Sequence, residues 1–259
     1  MRGRKMIDIH CHILPGIDDG AKTAEDTLTM LKSAIDEGIT VITATPHHNP
    51  KYHNEAPLIL DKVKEVQTII DVNQLPIQVL PGQEVRIYGD LLQDFSDGKL
   101  LTSAGTSPYM LVEFPTNHVP RYAGELFYTM KLQGIQPILV HPERNSGIIE
   151  NPNLLFEFIE QGVLSQITAS SVTGHFGKKI QKLTFQIIEH QLTQFVASDA
   201  HNVTSRAFKM REAFDIIEER YGLSTAKYFK DNAASVISNE MIYLDNPTRI
   251  KTKKFFGLF

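Results

Sequence analysis

The chain reads as an α/β fold, a (β/α)7 TIM-like barrel with its polar residues gathered at one rim, and three observations predict it. Short runs rich in Ile and Val alternate with segments of helical periodicity. Most of these runs are apolar on both faces, as strands covered on both sides of a parallel sheet should be. Histidines and carboxylates recur where the runs end, as in Ile9-His10-Cys11-His12 and Ser198-Asp199-Ala200-His201. Side chains spread over nearly every strand must converge to act together, and a closed barrel brings them together more readily than an open doubly wound sheet.

The strand-like runs are residues 6–12, 39–46, 77–85, 109–114, 135–141, 163–169 and 194–198. Helical segments are expected over 23–37, 54–72, 121–133, 154–161, 177–190 and 206–221, with a short helix near 90–95. The first helix opens on Thr23, with Glu25 and Asp26 in its first turn, carries Leu28, Leu31 and Ile35 on one face, and stops at Gly38. No internal repeat, low-complexity tract or Pro/Gly-rich linker divides the sequence, so a single domain over 1–259 is expected, with a short basic extension (1–5) and a C-terminal tail from about 247.

Composition narrows the function. A formal charge of −4 and a pI near 6.2 give no general attraction to nucleic acid or anionic membranes. The basic start lacks the apolar segment of a signal peptide, and no run approaches a membrane span. The single cysteine, Cys11, has no internal disulfide partner. A cytoplasmic location is therefore expected, with Cys11 a small packed residue rather than a ligand or nucleophile.

Alternate residues of a strand face the same side, so His10 and His12 present both imidazoles toward one point. The Asp199/His201 pair repeats that spacing, and Asp19, His47, Glu84, Glu113 and His141 also sit where apolar runs end or just beyond. A lone strand-end histidine is more often a hydrogen-bonded structural residue, and a lone carboxylate there often only caps a loop. The set outweighs its members. Five imidazoles and four carboxylates exceed the roughly four to six ligands one transition metal uses, and about three dications sharing carboxylates would use them all. The remaining histidines, His48, His53, His118, His175 and His190, have no comparable setting and are assigned to the surface.

Arg144 follows His141 by three residues, and Arg206 follows His201 by five. Both lie just past rim strands, where a guanidinium fork would bind phosphate oxygens bidentately. Arg206 read alone is equally a helix-start surface residue. Arg86, Arg121 and Tyr122 are further rim candidates with little to distinguish them.

The segments Asp8-Ile-His-Cys-His-Ile-Leu-Pro-Gly-Ile-Asp-Asp-Gly20, Thr45-Pro-His-His48, Gly82-Gln-Glu84, Glu113-Phe-Pro115, His141-Pro-Glu-Arg144 and Ser198-Asp-Ala-His201 resemble the polymerase-and-histidinol-phosphatase (PHP) family. Within it they look like the bacterial manganese-dependent protein-tyrosine phosphatases of capsule and exopolysaccharide clusters. The resemblance runs from Met6 to about Asn246, and the long first motif and His-Pro-Glu-Arg are its specific parts. It implies a distorted (β/α)7 barrel and a trinuclear site, with Mn²⁺ favoured and Fe, Co, Zn or Mg as other occupants. It also implies hydrolysis of phosphotyrosine on a bacterial tyrosine kinase and its targets. The implied metal ligands are His10, His12, Asp19, His47, Glu84, Glu113, His141, Asp199 and His201, and the implied phosphate-binding residues are Arg144 and Arg206. Asp199 is also the side-chain candidate for protonating the leaving phenolate, with a water in the site as the other. Two competing readings are a small-molecule phosphomonoesterase, such as one acting on histidinol phosphate, and a metalloprotein that binds phosphotyrosine without hydrolysing it.

Overall fold

The computed structural model describes residues 6–251. The basic extension at 1–5 and residues 252–259 of the tail lie outside the described residues. Among the described residues there are nine strands, most of them separated by helices: β1 (Met6–Cys11), β2 (Ile39–Ala44), β3 (His47–His48), β4 (Gln78–Pro81), β5 (Glu84–Arg86), β6 (Tyr109–Glu113), β7 (Gln136–Val140), β8 (Leu164–Thr168) and β9 (Phe195–Ala197). The helices are α1 (Ala24–Asp36), α2 (Ala56–Val72), α3 (Leu91–Ser96), α4 (Ala123–Leu132), α5 (Ser146–Glu150), α6 (Asn153–Glu160), α7 (Ala169–Val172), α8 (Lys178–Glu189), α9 (Met210–Tyr221) and α10 (Leu223–Ser238).

All strand pairs are parallel, in one sheet ordered β1-β2-β4 and another ordered β3-β5-β6-β7-β8-β9. Seven runs become nine strands because the 77–85 run is interrupted and β3 lies beyond the run that ended at Pro46. Pro46, which has no N–H, separates β2 from β3. Gly82-Gln83 separates β4 from β5, and there a Cβ on Gly82 would sit 2.6 Å from Thr43 Cγ2. The far edges also touch. Cys11 bridges Ala200 in parallel, the His12 amide donates to Ala200 O (2.9 Å), and the Asp199 amide donates to His10 O (2.9 Å).

Two apolar layers hold the strands. The larger lies between sheet and helices and includes Leu31, Ile42, Val112, Leu139 and Phe127. The smaller joins Ile9, Leu111, Ile138, Val140 and Phe195 to Ala233 and Val236 of α10. Sequence reading missed α10, although Ala226, Phe229, Ala233 and Val236 follow helical spacing and are buried. Thr23 caps α1 in a reciprocal box with Asp26. The expected helix at 206–221 begins only at Met210, because Asn202 Oδ1 accepts the Thr204 and Arg206 amides (2.9 and 3.0 Å) and holds Arg206 in a turn. Among the described residues no helix is long and apolar enough to cross a membrane.

Candidate metal centre

The strand ends deliver the predicted side chains to one place. Parallel register sets His47 of β3 beside Glu84 of β5, and Arg86 beside Glu113 of β6. Two other donors stand on residues forced into left-handed backbone, His141 (φ 38°) and Asp199 (φ 52°). Such conformations cost roughly 1–3 kcal/mol in a non-glycine residue and persist only where neighbours impose them. Here the His141 amide donates to Gln166 O (2.7 Å) and the Asp199 amide to His10 O (2.9 Å). Asp8, fully buried, accepts from both the Ser198 amide (2.9 Å) and hydroxyl, fixing the residue before Asp199.

The 18–20 loop folds back onto the end of β1. A Cβ at Gly20 would collide with the carbonyl and Cβ of His12, so only glycine allows this approach. Asp18 then reaches inward, its Oδ2 accepting from His12 Nδ1 (2.7 Å) and from the His47 amide (3.2 Å), while Oδ1 accepts the Gly20 amide (2.8 Å). Asp19 points the other way, its Oδ1 3.3 Å from His47 Nε2 and 3.4 Å from His201 Nε2.

These partners select the ring nitrogen that faces the centre. His10 Nδ1 donates to Gln166 Oε1 (2.7 Å), His12 Nδ1 to Asp18, and His201 Nδ1 to the Asp199 carbonyl (3.0 Å). Each leaves Nε2 with its lone pair toward the cluster, the arrangement that orients metal-bound imidazoles. Glu84 Oε2 lies 2.8 Å from His47 Nδ1, 3.2 Å from His12 Nε2 and 3.4 Å from His10 Nε2. Its other oxygen, Oε1, meets His141 Nε2 at 2.7 Å.

Three overlapping groups result, each with donor atoms within 4.8 Å of one another: His12/Asp19/His47/His201, His10/His12/Glu84/Asp199 and His47/Glu84/Glu113. His12, His47 and Glu84 are each shared by two of them. His141 stands outside all three and reaches the cluster through Glu84. Nine buried side-chain atoms among the described residues make no well-directed hydrogen bond, and five of them belong here: His47 Nδ1, Glu84 Oε2, Glu113 Oε1, Asp199 Oδ1 and His201 Nε2, although His47 Nδ1 stands 2.8 Å from Glu84 Oε2 and Glu113 Oε1 2.8 Å from Arg86 Nε. A buried polar atom without a partner costs about 1–3 kcal/mol. Unsatisfied nitrogens and carboxylate oxygens converging in this way fit divalent cations.

Electrostatics follow the same geometry. Burial opposes ionisation of Glu84 and Asp199, but His47 and His10 outweigh it for Glu84, and Arg144, His10 and Arg206 for Asp199. Both carboxyls are held well below their usual range. Burial likewise disfavours a cation at His47, yet Glu84 and Asp19 raise it to about 9. His141 and His201 fall to about 4, through burial together with Arg144 and His12 respectively.

Asp199 joins the cluster to the arginines. Its Oδ1 faces His10 and His12 (3.5 and 3.4 Å), while Oδ2 accepts from Arg144 (2.6 Å) and Arg206 (2.9 Å). Arg86 Nε sits 2.8 Å from Glu113 Oε1, whereas the Tyr122 hydroxyl donates to Ile87 O. Sequence reading passed over Asp18 and Gln166. Asp18 was visible beside Asp19, but nothing in the pattern separated the carboxylate that braces His12 from the one that faces the donor cluster, and Gln166 sits mid-strand. Cys11 is fully buried with its thiol toward Ala200 O (3.6 Å), and burial pushes that thiol up. His48, His53, His118, His175 and His190 join none of the groups. His190 caps the end of α8 and bonds Thr248.

Comparison with known proteins places this arrangement among relatives. The profile of the family described as "Capsular polysaccharide synthesis, CpsB/CapC" matches residues 6–238. The chain is 44% identical over 255 residues to the tyrosine-protein phosphatase YwqE of Bacillus subtilis, covering 98% of this chain and all of that protein. It is 30% identical over 244 residues to the tyrosine-protein phosphatase CpsB of Streptococcus pneumoniae, covering 92% of this chain and all of CpsB. A crystal structure from work on those two proteins, described as unique metal-dependent tyrosine phosphatases, superposes with a TM-score of 0.93 at 43% identity over 95% of this chain and all of that one.

Proposed function

The chain belongs to the CpsB/CapC family of capsular polysaccharide synthesis proteins, and from that membership we infer that it is a metal-dependent protein-tyrosine phosphatase linked to capsule and exopolysaccharide regulation. Its substrates in this reading are phosphotyrosines on a bacterial tyrosine kinase and that kinase's targets, met in the cytoplasm. The observation that carries it is Asp199, which turns one oxygen to a cluster of unsatisfied donors and the other to two guanidiniums. Such a junction suits a phosphate monoester dianion held between cations of both kinds.

His10, His12, Asp19, His47, Glu84, Glu113, His141, Asp199 and His201 would hold the ions, three of them with Mn²⁺ favoured. The three overlapping donor groups support that number. Divalent ions bound there would supply Lewis acidity toward phosphoryl oxygens and bring the pKa of water toward neutrality. Arg144 and Arg206 would take the phosphoryl oxygens that face away from the histidines, stabilising charge as the ester bond opens. Asp199, kept ionised by its arginines, has no proton to give at neutral pH. Its catalytic part is to orient both guanidiniums, and a phenol of pKa about 10 leaves with less need of a proton donor than an alkoxide.

The same reading extends to architecture: one domain whose strands close as a distorted (β/α)7 barrel. The Cys11–Ala200 bridge and the inner layer of Ile9, Leu111, Ile138 and Phe195 support it. The test is side-by-side turnover of a phosphotyrosyl peptide and histidinol phosphate by Mn²⁺-loaded protein, with and without chelator. Chelator-sensitive preference for the peptide is expected. Preference for histidinol phosphate, or full activity without metal, would replace this reading.

A further inference from the structure

Beside the arginines, bordered by the ligand candidates Glu113 and His141, lies a cavity of about 340 Å³. Its lining combines the polar Glu113, His141, Arg144 and Arg206 with apolar residues that include Phe114 and Phe176. A phosphoryl group held by Arg144 and Arg206 must direct its ester oxygen, and whatever that oxygen carries, away from the buried histidines. This cavity, lined by both arginines, can receive it.

The two phenylalanines differ in kind. Phe114 is buried and packs on Phe127 and Phe158 (centroids 5.8 and 5.6 Å), so core packing accounts for it. Phe176 belongs to neither core layer and is only half-buried. It sits on a tight turn between α7 and α8, flanked by Gly174 (φ 82°) and Gly177 (φ 92°), backbone that side-chain-bearing residues rarely adopt. The turn is pinned by amides of Gly174, His175 and Gly177 donating to Ser171, Ser170 and Gly174 carbonyls (3.2, 3.0 and 2.9 Å), and by Gln181 Nε2 donating to Val172 O (2.9 Å). A rigid turn therefore presents an apolar ring at the rim, with the Arg144 guanidinium 5.4 Å from its centroid.

We propose that Phe176 is a specificity-determining residue, the aromatic wall against which the tyrosyl ring of the substrate packs, selecting aryl over alkyl phosphate esters. The proposal rests on the phosphatase reading above. Aromatic faces pair in offset or edge-to-face geometry and gain beyond the area they bury, whereas a seryl or threonyl carbon offers little to such a wall. The competing account is that Phe176 only steadies Arg144 through its cation–π contact. That role would help every phosphoryl ligand equally.

Three non-hydrolysable or product ligands separate the two accounts: phenylphosphonate, ethylphosphonate and inorganic phosphate. Their inhibition constants against phosphotyrosyl-peptide turnover are measured on Mn²⁺-loaded wild type, Phe176→Leu and Phe176→Tyr. For Phe176→Leu, phenylphosphonate should weaken about tenfold, from the lost ring contact and its buried area, with ethylphosphonate and phosphate nearly unchanged. Phe176→Tyr should keep the wild-type ratio. The ratio is internal to each variant, so a general loss of active protein cancels. The chain has no tryptophan, so Phe176→Trp adds a single tryptophan at the wall, excited selectively over the tyrosines, whose emission should respond to phenylphosphonate more than to ethylphosphonate. Equal weakening of all three ligands, or an unchanged phenyl-to-ethyl ratio in a wild type that hydrolyses the peptide, overturns the assignment alone. A metal-loaded wild type that neither hydrolyses the peptide nor binds phosphate overturns the phosphatase reading first.

Discussion

The two sides of Asp199 are built on opposite principles. On its Oδ1 side, imidazoles and carboxylates crowd together with five buried atoms that make no well-directed hydrogen bond, so the protein alone leaves that half incomplete. On its Oδ2 side, both arginines are already paired, and the mostly buried guanidiniums border a cavity. The first half stores unsatisfied donors, and the second stores charge already balanced by a carboxylate. A phosphate entering between them would share the arginines with Asp199 on one side and meet cations on the other. One half should therefore respond to metal and the other to substrate.

Removing metal breaks the first half outright. Chelation should abolish phosphotyrosyl-peptide turnover, and Mn²⁺ should restore it. Melting temperature should fall on chelation, because a ligand that binds only the folded chain stabilises it, and because Glu84 and Asp199 lose their counter-charges. Calorimetry beside activity checks both. A melting temperature indifferent to chelator would mean that the donors already satisfy one another.

Asp199→Asn strikes both halves at once. Asparagine tolerates the left-handed backbone, so the fold should survive while the charge is lost. Metal retention and the arginine clamp should weaken together, lowering turnover by roughly 10²–10³-fold. Metal content and kcat/KM on the same sample decide it. Loss of only one of the two would show that the halves are independent.

Single-sided changes sharpen the contrast. Asp18→Asn removes the charge behind His12 and should cut metal affinity roughly 10- to 100-fold, with near-normal kcat once metal saturates. Arg144→Ala should do the reverse. Loss of a charge-assisted hydrogen bond costs about 1.5–3 kcal/mol, or roughly 10- to 100-fold in kcat/KM, with metal content intact. Metal titrations followed by kinetics at saturation distinguish the two patterns, and a variant showing both losses would break the division.

The halves also differed in legibility. The imidazole side was readable because a strand imposes a two-residue period, so His-x-His and Asp-x-His state their own geometry. Parallel register, which sets His47 beside Glu84, is a property of pairing that no single strand spells out. Asp18 against Asp19 turned on a glycine allowing the loop to fold back, and Gln166 lay inside an apolar run. The arginines were found only by position, and Arg206 was assigned the start of a helix that begins at Met210 because the Asn202 turn intervenes. The 77–85 run was read as one strand, yet it breaks after Pro81, where Gly82 packs against Thr43. Helix α10 was missed because its apolar positions are mostly small residues, Ala226 and Ala233 among them.

The smallest expected effect belongs to Arg206→Lys, and it tests how rigid the guanidinium half must be. Arg206 reaches Asp199 Oδ2 at 2.9 Å and lies 3.7 Å from Asp19 Oδ2, so its fork spans two carboxylates of the site. At 30% side-chain exposure it is the wetter of the pair, against 22% for Arg144. An ammonium can keep the contact to Asp199 as a point charge but cannot span both oxygens in one plane. Water can supply part of what the fork loses at so exposed a position. The lysine variant should therefore lose only about two- to fivefold in kcat/KM, well short of the charge-assisted bond lost in an alanine variant. The loss should fall in KM more than in kcat, because the partner Arg144 still meets the phosphoryl group. Steady-state kinetics of Arg206→Lys and Arg206→Ala, each beside metal content, provide the measurement. If lysine is as damaging as alanine, planar bidentate geometry rather than charge is what this half contributes, and the contrast with the metal side becomes one of shape as well as satisfaction.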